Sequence, residues 1–275
     1  METVKTHGVS TPAPTPCDRT IAFGEHPRQA IEFWAAKGES RAAPVVIYIH
    51  GGAWRSGDRI SEAGYWKPKH ATERGLAFAS IGYRLVPKVT IEEQLDDLAR
   101  GVRTLIDCAA ELGIDPTRLI LTGHSSGAHL ASMLGADERI LSAHGVSLDA
   151  VLGVLSNDGS SFDVERQLPS IHVDWRGYFE QALGVTPEVQ RQRSPIWRAT
   201  PRNVRDFLLL HMKSREANDV ALMTEFAAVL RKNGSAAEVR SIDASHNEIN
   251  LWLGEPGREM TEVVDAWLDR ILSAR

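Results

Sequence analysis

Gly123-His124-Ser125-Ser126-Gly127 sets a serine between two glycines in a Gly-x-Ser-x-Gly spacing. The apolar run Arg118–Gly123 precedes it, and Ser126–Leu134, with helical spacing of its apolar residues, follows. A strand turning sharply into a helix lifts the Ser125 hydroxyl to the apex of the turn, where it can act as a nucleophile. The free N–H groups at the start of that helix then face the reaction centre. The pentapeptide alone is a weak signal, since a plain strand–helix turn has the same composition. Its weight comes from two further groups of residues.

The first is His50-Gly51-Gly52-Ala53-Trp54, directly after the apolar run Pro44–His50. Acyl transfer needs N–H donors aimed at the oxygen that becomes negative, and losing one donor costs about 3–4 kcal/mol of transition-state stabilisation. Gly51, Gly52 or Ala53, together with the N–H of Ser126, would form such an oxyanion hole. His50 reads as a brace for this loop, and Trp54 as either a pocket wall or buried packing.

The second is the base and its acid. Of ten histidines, His246 lies in Asp243-Ala244-Ser245-His246-Asn247, after the last predicted strand and before the C-terminal helix. That position suits a general base in the chain order serine, acid, histidine. The acid should then follow the penultimate strand, in the segment Met212–Asp219, which holds two carboxylates, Glu216 and Asp219. Either could orient the imidazole and stabilise its charged form. Asp219 equally suits the first turn of the following helix.

These residues must be held by a scaffold. Short apolar runs occur at Gln29–Ala35, Pro44–His50, Leu76–Gly82, Arg118–Gly123, Ala150–Ser156, Asp206–His211 and Ala237–Ile242. Several are apolar throughout, as in parallel strands covered on both faces. Between them, Thr90-Ile91-Glu92-Glu93 reads as a capping box opening a helix that reaches Ala110. Helical spacing recurs over Ser126–Leu134, Asp219–Lys232 and Pro256–Leu272. The alternation predicts an α/β domain with a mainly parallel central sheet and helices on both faces. Residues 1–18 read as a flexible lead-in, and 19–275 as a single domain.

The stretch from about 157 to 205 has no strand pattern and reads as a lid-like insertion. Its Phe162, Trp175 and Trp197, with Tyr178 and Phe179, are candidate walls of a substrate pocket beside Trp54. It also carries Arg191, Arg193, Arg198, Arg202 and Arg205, which read as a solvated face or as one arginine gripping a substrate carboxylate.

The net charge of −5 and the pI near 6.1 argue against a nucleic-acid partner. No apolar run is long enough for a membrane helix, and residues 1–16 lack a signal-peptide pattern. Two cysteines, Cys17 and Cys108, fit a reducing, cytoplasmic setting. Neither they nor the histidines form a metal-ligand pattern.

Gly-His-Ser-Ser-Gly-Ala-His-Leu and His-Gly-Gly-Ala-Trp together resemble the α/β-hydrolase superfamily, over nearly all of residues 19–275. They are most similar to its small esterase and kynurenine formamidase-like group, whose elbow typically reads Gly-His-Ser-Ala-Gly-Ala-His-Leu. The hormone-sensitive-lipase group usually has His-Gly-Gly-Gly and Gly-Asp-Ser-Ala-Gly, where this chain has Ala53 and His124. One departure stands out. The usual His-Gly-x-x-Asp after the penultimate strand is missing, and His211 is followed four residues later by Arg215. The resemblance implies a Ser-His-Asp/Glu triad, an acyl-enzyme intermediate and no cofactor. The expected activity is carboxylester hydrolysis of small acyl or aryl esters, with arylformamidase chemistry as the alternative. A non-catalytic binding protein on the same fold would be expected to lack Ser125 or His246.

Overall fold

The seven apolar runs all become strands in the computed structural model, which describes residues 3–6, 9–38 and 42–274. In chain order the strands are β1 (Thr3–Thr6), β2 (Val9–Pro12), β3 (Arg19–Ala22), β4 (Ala30–Trp34) and β5 (Ala43–Ile49). They continue with β6 (Ala77–Ile81), β7 (Ile114–His124), β8 (Val151–Asn157), β9 (Asp206–Met212) and β10 (Ala236–Ile242). Strands β3–β10 form one eight-stranded sheet in the order β10-β9-β8-β7-β5-β6-β4-β3. It is parallel from β6 through β10, while β4 and β3 pair antiparallel at one edge.

The central runs are continuous because both faces of the sheet are covered there. Phe207 and Leu209 pack into one core with Leu130, Met133 and Phe226, from the helices Ser126–Ala136 and Ala217–Lys232. Leu208 and Leu210 point the other way, into a second core with Tyr48, Phe78 and Trp267 of the Glu259–Ser273 helix. Successive strand residues thus serve opposite layers. Each fully buried Leu or Phe contributes about 1.5–3 kcal/mol.

Three differences from the sequence reading have local causes. β3 was not anticipated, because it is an edge strand whose residues are largely exposed and carry no apolar run. The Thr90 capping box forms, but its helix ends at Asp107, and a separate turn of helix, Ala109–Leu112, follows. The lead-in is not free throughout. β1 pairs with β2, Thr15 Oγ1 donates to the Tyr65 carbonyl at 2.8 Å, and Asp18 Oδ2 accepts from Ala35 N at 2.7 Å. Both cysteines are free thiols.

Between β8 and β9 lies a strandless segment of short helices: Val164–Gln167, Leu168–Ser170, Val173–Leu183, Pro187–Gln192 and Pro195–Arg198. It runs across the end of the sheet where β5, β7 and β8 finish. Among the described residues no helix is long and apolar enough to cross a membrane.

Candidate active site

β7 passes into the Ser126–Ala136 helix through Ser125, whose backbone sits at φ 55° and ψ −120°. A non-glycine residue held there stores on the order of 1–3 kcal/mol of strain. The two flanking glycines are required by contact. A Cβ on Gly123 would lie 2.3 Å from the Gly127 carbonyl oxygen, and one on Gly127 would lie 2.1 Å from that of Ile49. The helix that follows is buried at every position, so the elbow is clamped from below. Ser125 N donates to the Asn157 carbonyl at the end of β8, at 3.1 Å.

His246 comes to this serine from the loop after β10. Its Nε2 lies 3.2 Å from Ser125 Oγ. Its Nδ1 lies 2.5 Å from Asp158 Oδ2. A neutral imidazole with Nδ1–H donating to the carboxylate leaves the Nε2 lone pair facing the serine hydroxyl. The loop carrying His246 is held on several sides. Ser245 bonds Glu248 Oε2 through both its N and its Oγ, at 2.9 and 2.6 Å. The Ile249 carbonyl accepts from Asn157 Nδ2 at 3.0 Å, and the Asn250 carbonyl from the buried Lys67 Nζ at 2.9 Å. His124, beside the serine, gives its Nε2–H to the carbonyl of His246 itself, at 2.9 Å. Burial, then the neighbouring His246, hold the His124 ring well below its ordinary pKa. It therefore remains a neutral brace.

The carboxylate at His246 is neither Asp219 nor Glu216, and that expectation is corrected here. Glu216 is exposed and stands at the start of the Ala217–Lys232 helix, with no capping bond from its side chain. Asp219 lies in the first turn of that helix and accepts from Gln167 Nε2 at 2.9 Å. Asp158 instead follows β8 directly, at φ 50°. Its side chain is fully buried, and Oδ1 accepts from Met212 N at 2.9 Å and from Arg215 Nη2 at 2.5 Å. Burial alone would raise its pKa. The hydrogen bond from His246 and the Arg215 guanidinium outweigh that and hold the carboxyl well below the usual carboxylate range. The signal lay in Ser156-Asn157-Asp158-Gly159, a carboxylate one residue past a buried strand. Asn-Asp-Gly also reads as a turn, which is why it passed as the start of the insertion.

After β5, the loop Gly51–Gly57 is folded around one carbonyl. Gly52 O accepts from Arg55 N at 3.1 Å, Ser56 N at 2.9 Å and Ser56 Oγ at 2.8 Å. Among the described residues no hydrogen bond engages the N–H of Gly52, Ala53 or Ser126, and these residues line the cavity over Ser125 together with Gly51. Ala53 and Trp54 have positive φ, 50° and 61°. His50 beneath them bonds the Gly51 carbonyl at 2.8 Å and stacks on Tyr83. Its burial pushes the His50 pKa down to about 4.

The cavity has a volume of about 940 Å³. Of the four expected pocket residues, Trp54 and Trp175 line it, whereas Phe162 and Trp197 do not. Trp54 is both buried and a wall, donating from Nε1 to His129 Nδ1 at 3.2 Å and meeting Phe179 edge-on. Phe162 is buried in the core and stacked on Phe226. Trp197 is exposed beneath the Arg191 guanidinium. Tyr178 and Phe179, also named in the sequence, do line the cavity, as do Arg55, Glu62 and Asn250, which were not foreseen. Arg191, Arg193, Arg198 and Arg202 bond Glu165, Glu92, Asp137 and Asp149, away from the cavity.

A family model described as BD-FAE matches residues 31–170, just over half of the chain. A probable isoprenylcysteine alpha-carbonyl methylesterase of Oryza sativa subsp. japonica is 33% identical over 114 residues, 42% of this chain and 26% of that protein. Esterase LipQ of Mycobacterium tuberculosis is 26% identical over 86% of this chain and 57% of its own length. The chain thus spans about a quarter to just over half of these relatives. Among solved structures, a truncated carbohydrate esterase from gut microbiota superposes with a TM-score of 0.78 at 16% identity, covering 95% of this chain and 100% of that one. The fold is that of the α/β-hydrolases.

Proposed function

The chain belongs to the BD-FAE family, and we propose that it is a serine carboxylesterase acting on small acyl or aryl esters. The observation that carries this reading is the unbroken line from Ser125 Oγ through the His246 ring to Asp158, with separations of 3.2 and 2.5 Å.

Ser125 Oγ attacks the ester carbonyl while His246 Nε2 takes its proton. Asp158 holds the tautomer and stabilises the imidazolium without itself becoming protonated. The N–H groups of Gly52, Ala53 and Ser126 receive the oxyanion. His246 returns the proton to the departing alcohol, leaving an acyl-enzyme on Ser125. Water then attacks the acyl carbonyl while His246 takes its proton, and His246 passes that proton to Ser125 Oγ as the acid departs. The acyl or aryl group lies against Trp54, Trp175, Tyr178 and Phe179.

The test is hydrolysis of a 4-nitrophenyl acyl ester series by wild type and Ser125→Ala, with N-formylkynurenine assayed in parallel. Wild type turns over short esters, and the variant loses several orders of magnitude. Equal activity of Ser125→Ala and wild type on every substrate cleaved sinks the assignment. A much stronger response to N-formylkynurenine transfers the same residues to formamide cleavage.

A further inference from the structure

Four residues with permanently ionisable side chains line the cavity: Arg55, Glu62, Asp158 and Arg215. Three of them are committed. Asp158 and Arg215 neutralise one another. Glu62 Oε2 accepts from Asn250 Nδ2 at 3.2 Å, and its charge acts on the ammonium of the buried Lys67 behind it. Arg55 alone is left over. Among the described residues no hydrogen bond or ion pair engages its guanidinium, whereas the four paired insertion arginines each hold a carboxylate.

Arg55 is nevertheless held in place. It lies two residues beyond Ala53, on the loop folded around the Gly52 carbonyl, and its own N donates to that carbonyl at 3.1 Å. Its guanidinium carbon lies 4.2 Å from the centre of the Tyr178 ring, a cation–π contact. Tyr178 in turn meets Trp175 edge-on. The hydrogen-bonding edges remain free, as a planar two-pronged donor for a carboxylate.

We propose that Arg55 selects esters carrying a second, anionic group, a carboxylate remote from the scissile bond, which it binds by a two-pronged contact at the cavity wall formed with Tyr178. This inference rests on the esterase reading above. The preferred substrates are then half-esters of dicarboxylic acids, or esters of hydroxy acids, according to which side of the scissile bond faces the loop.

The test compares matched charged and neutral esters. On the acyl side these are 4-nitrophenyl hydrogen adipate and 4-nitrophenyl hexanoate. On the alcohol side they are 4-acetoxybenzoate and 4-acetoxybenzamide. Comparing each ester between wild type and variant cancels its intrinsic reactivity. In at least one pair, Arg55→Met lowers kcat/KM for the charged member about tenfold more than for the neutral one, the scale of a charge-assisted contact open to solvent. Arg55→Lys, which keeps the charge but loses the fork, falls between, and raising the ionic strength narrows the gap. Should both Arg55 variants affect charged and neutral members equally in both pairs, while Ser125-dependent turnover persists, this inference is overturned and the esterase reading stands. Absence of Ser125-dependent turnover of every ester overturns both.

Discussion

β8 and β9 are neighbouring parallel strands whose ends carry opposite charges. β8 runs straight into Asp158, while β9 ends at Met212 and places Arg215 three residues on. The resemblance to α/β-hydrolases predicts the carboxylate on the β9 side, four residues after His211, where Arg215 stands. In this chain the carboxylate that reaches His246 stands on the β8 side instead. Asp158 turns back to meet His246 Nδ1, and Arg215 reaches across to bond Asp158 through its side chain and, at 3.1 Å, its carbonyl. The lesson is that His246 meets a carboxylate oxygen at one point in space, and the neighbouring strand end supplies it where the expected one does not.

The largest effect that would break this comparison is at the end of β8. Asp158→Asn keeps the shape but cannot hold the imidazole tautomer, so kcat for a short 4-nitrophenyl ester falls by about ten-thousand-fold. A loss of less than tenfold would return the acid to the β9 side.

A middle-sized effect tests the partner. Arg215→Met leaves Asp158 buried with one counter-charge fewer, which costs about 3 kcal/mol of stability in urea unfolding and about tenfold in kcat through a misaligned base. Its pH dependence has a definite sign. In the wild type the Asp158 carboxyl is held low, so its stabilising contribution is present above the ordinary carboxylate pKa and is lost as pH falls. Without Arg215 the folded pKa moves back up. The variant therefore starts less stable near neutrality and loses less on acidification.

The smallest effect is expected on the β9 side proper. Asp219→Asn and Glu216→Gln should each leave kcat within about twofold of wild type, because neither side chain meets His246. A thousandfold loss in either would invert the comparison.

The same contrast shows how far the sequence can be read. Apolar runs marked every strand buried on both faces, since period and composition there follow from burial. β3 escaped because its four residues, Arg19–Ala22, are largely exposed and form no apolar run, whereas β10 at the other edge still carries one. The turn at Ser125 was legible because it demands small residues at fixed spacing: contacts of 2.1–2.3 Å exclude any side chain at Gly123 or Gly127. The carboxylate beside His246 was not legible, because a carboxylate carries no local constraint and its partner lies 88 residues away. The pocket walls were half legible for a similar reason. An aromatic in the insertion can face inward, like Phe162, outward, like Trp197, or onto the substrate space, like Trp175, with no difference in local pattern.

The peptide between Asn157 and Asp158 is a crossbar. Its carbonyl takes the N–H of Ser125, and its N–H goes to the Leu210 carbonyl of β9 at 2.9 Å. One rigid planar unit thereby spans the turn at Ser125, Asp158 and the neighbouring strand. The insertion leaves from that same bar, with Gly159 next in the chain and Ser161 again at positive φ, 64°. A pull on the insertion is therefore a pull on Asp158. For anyone exchanging this insertion to alter specificity, the seam on the β8 side belongs after Ser161, so that the crossbar and its two strained neighbours stay with the sheet.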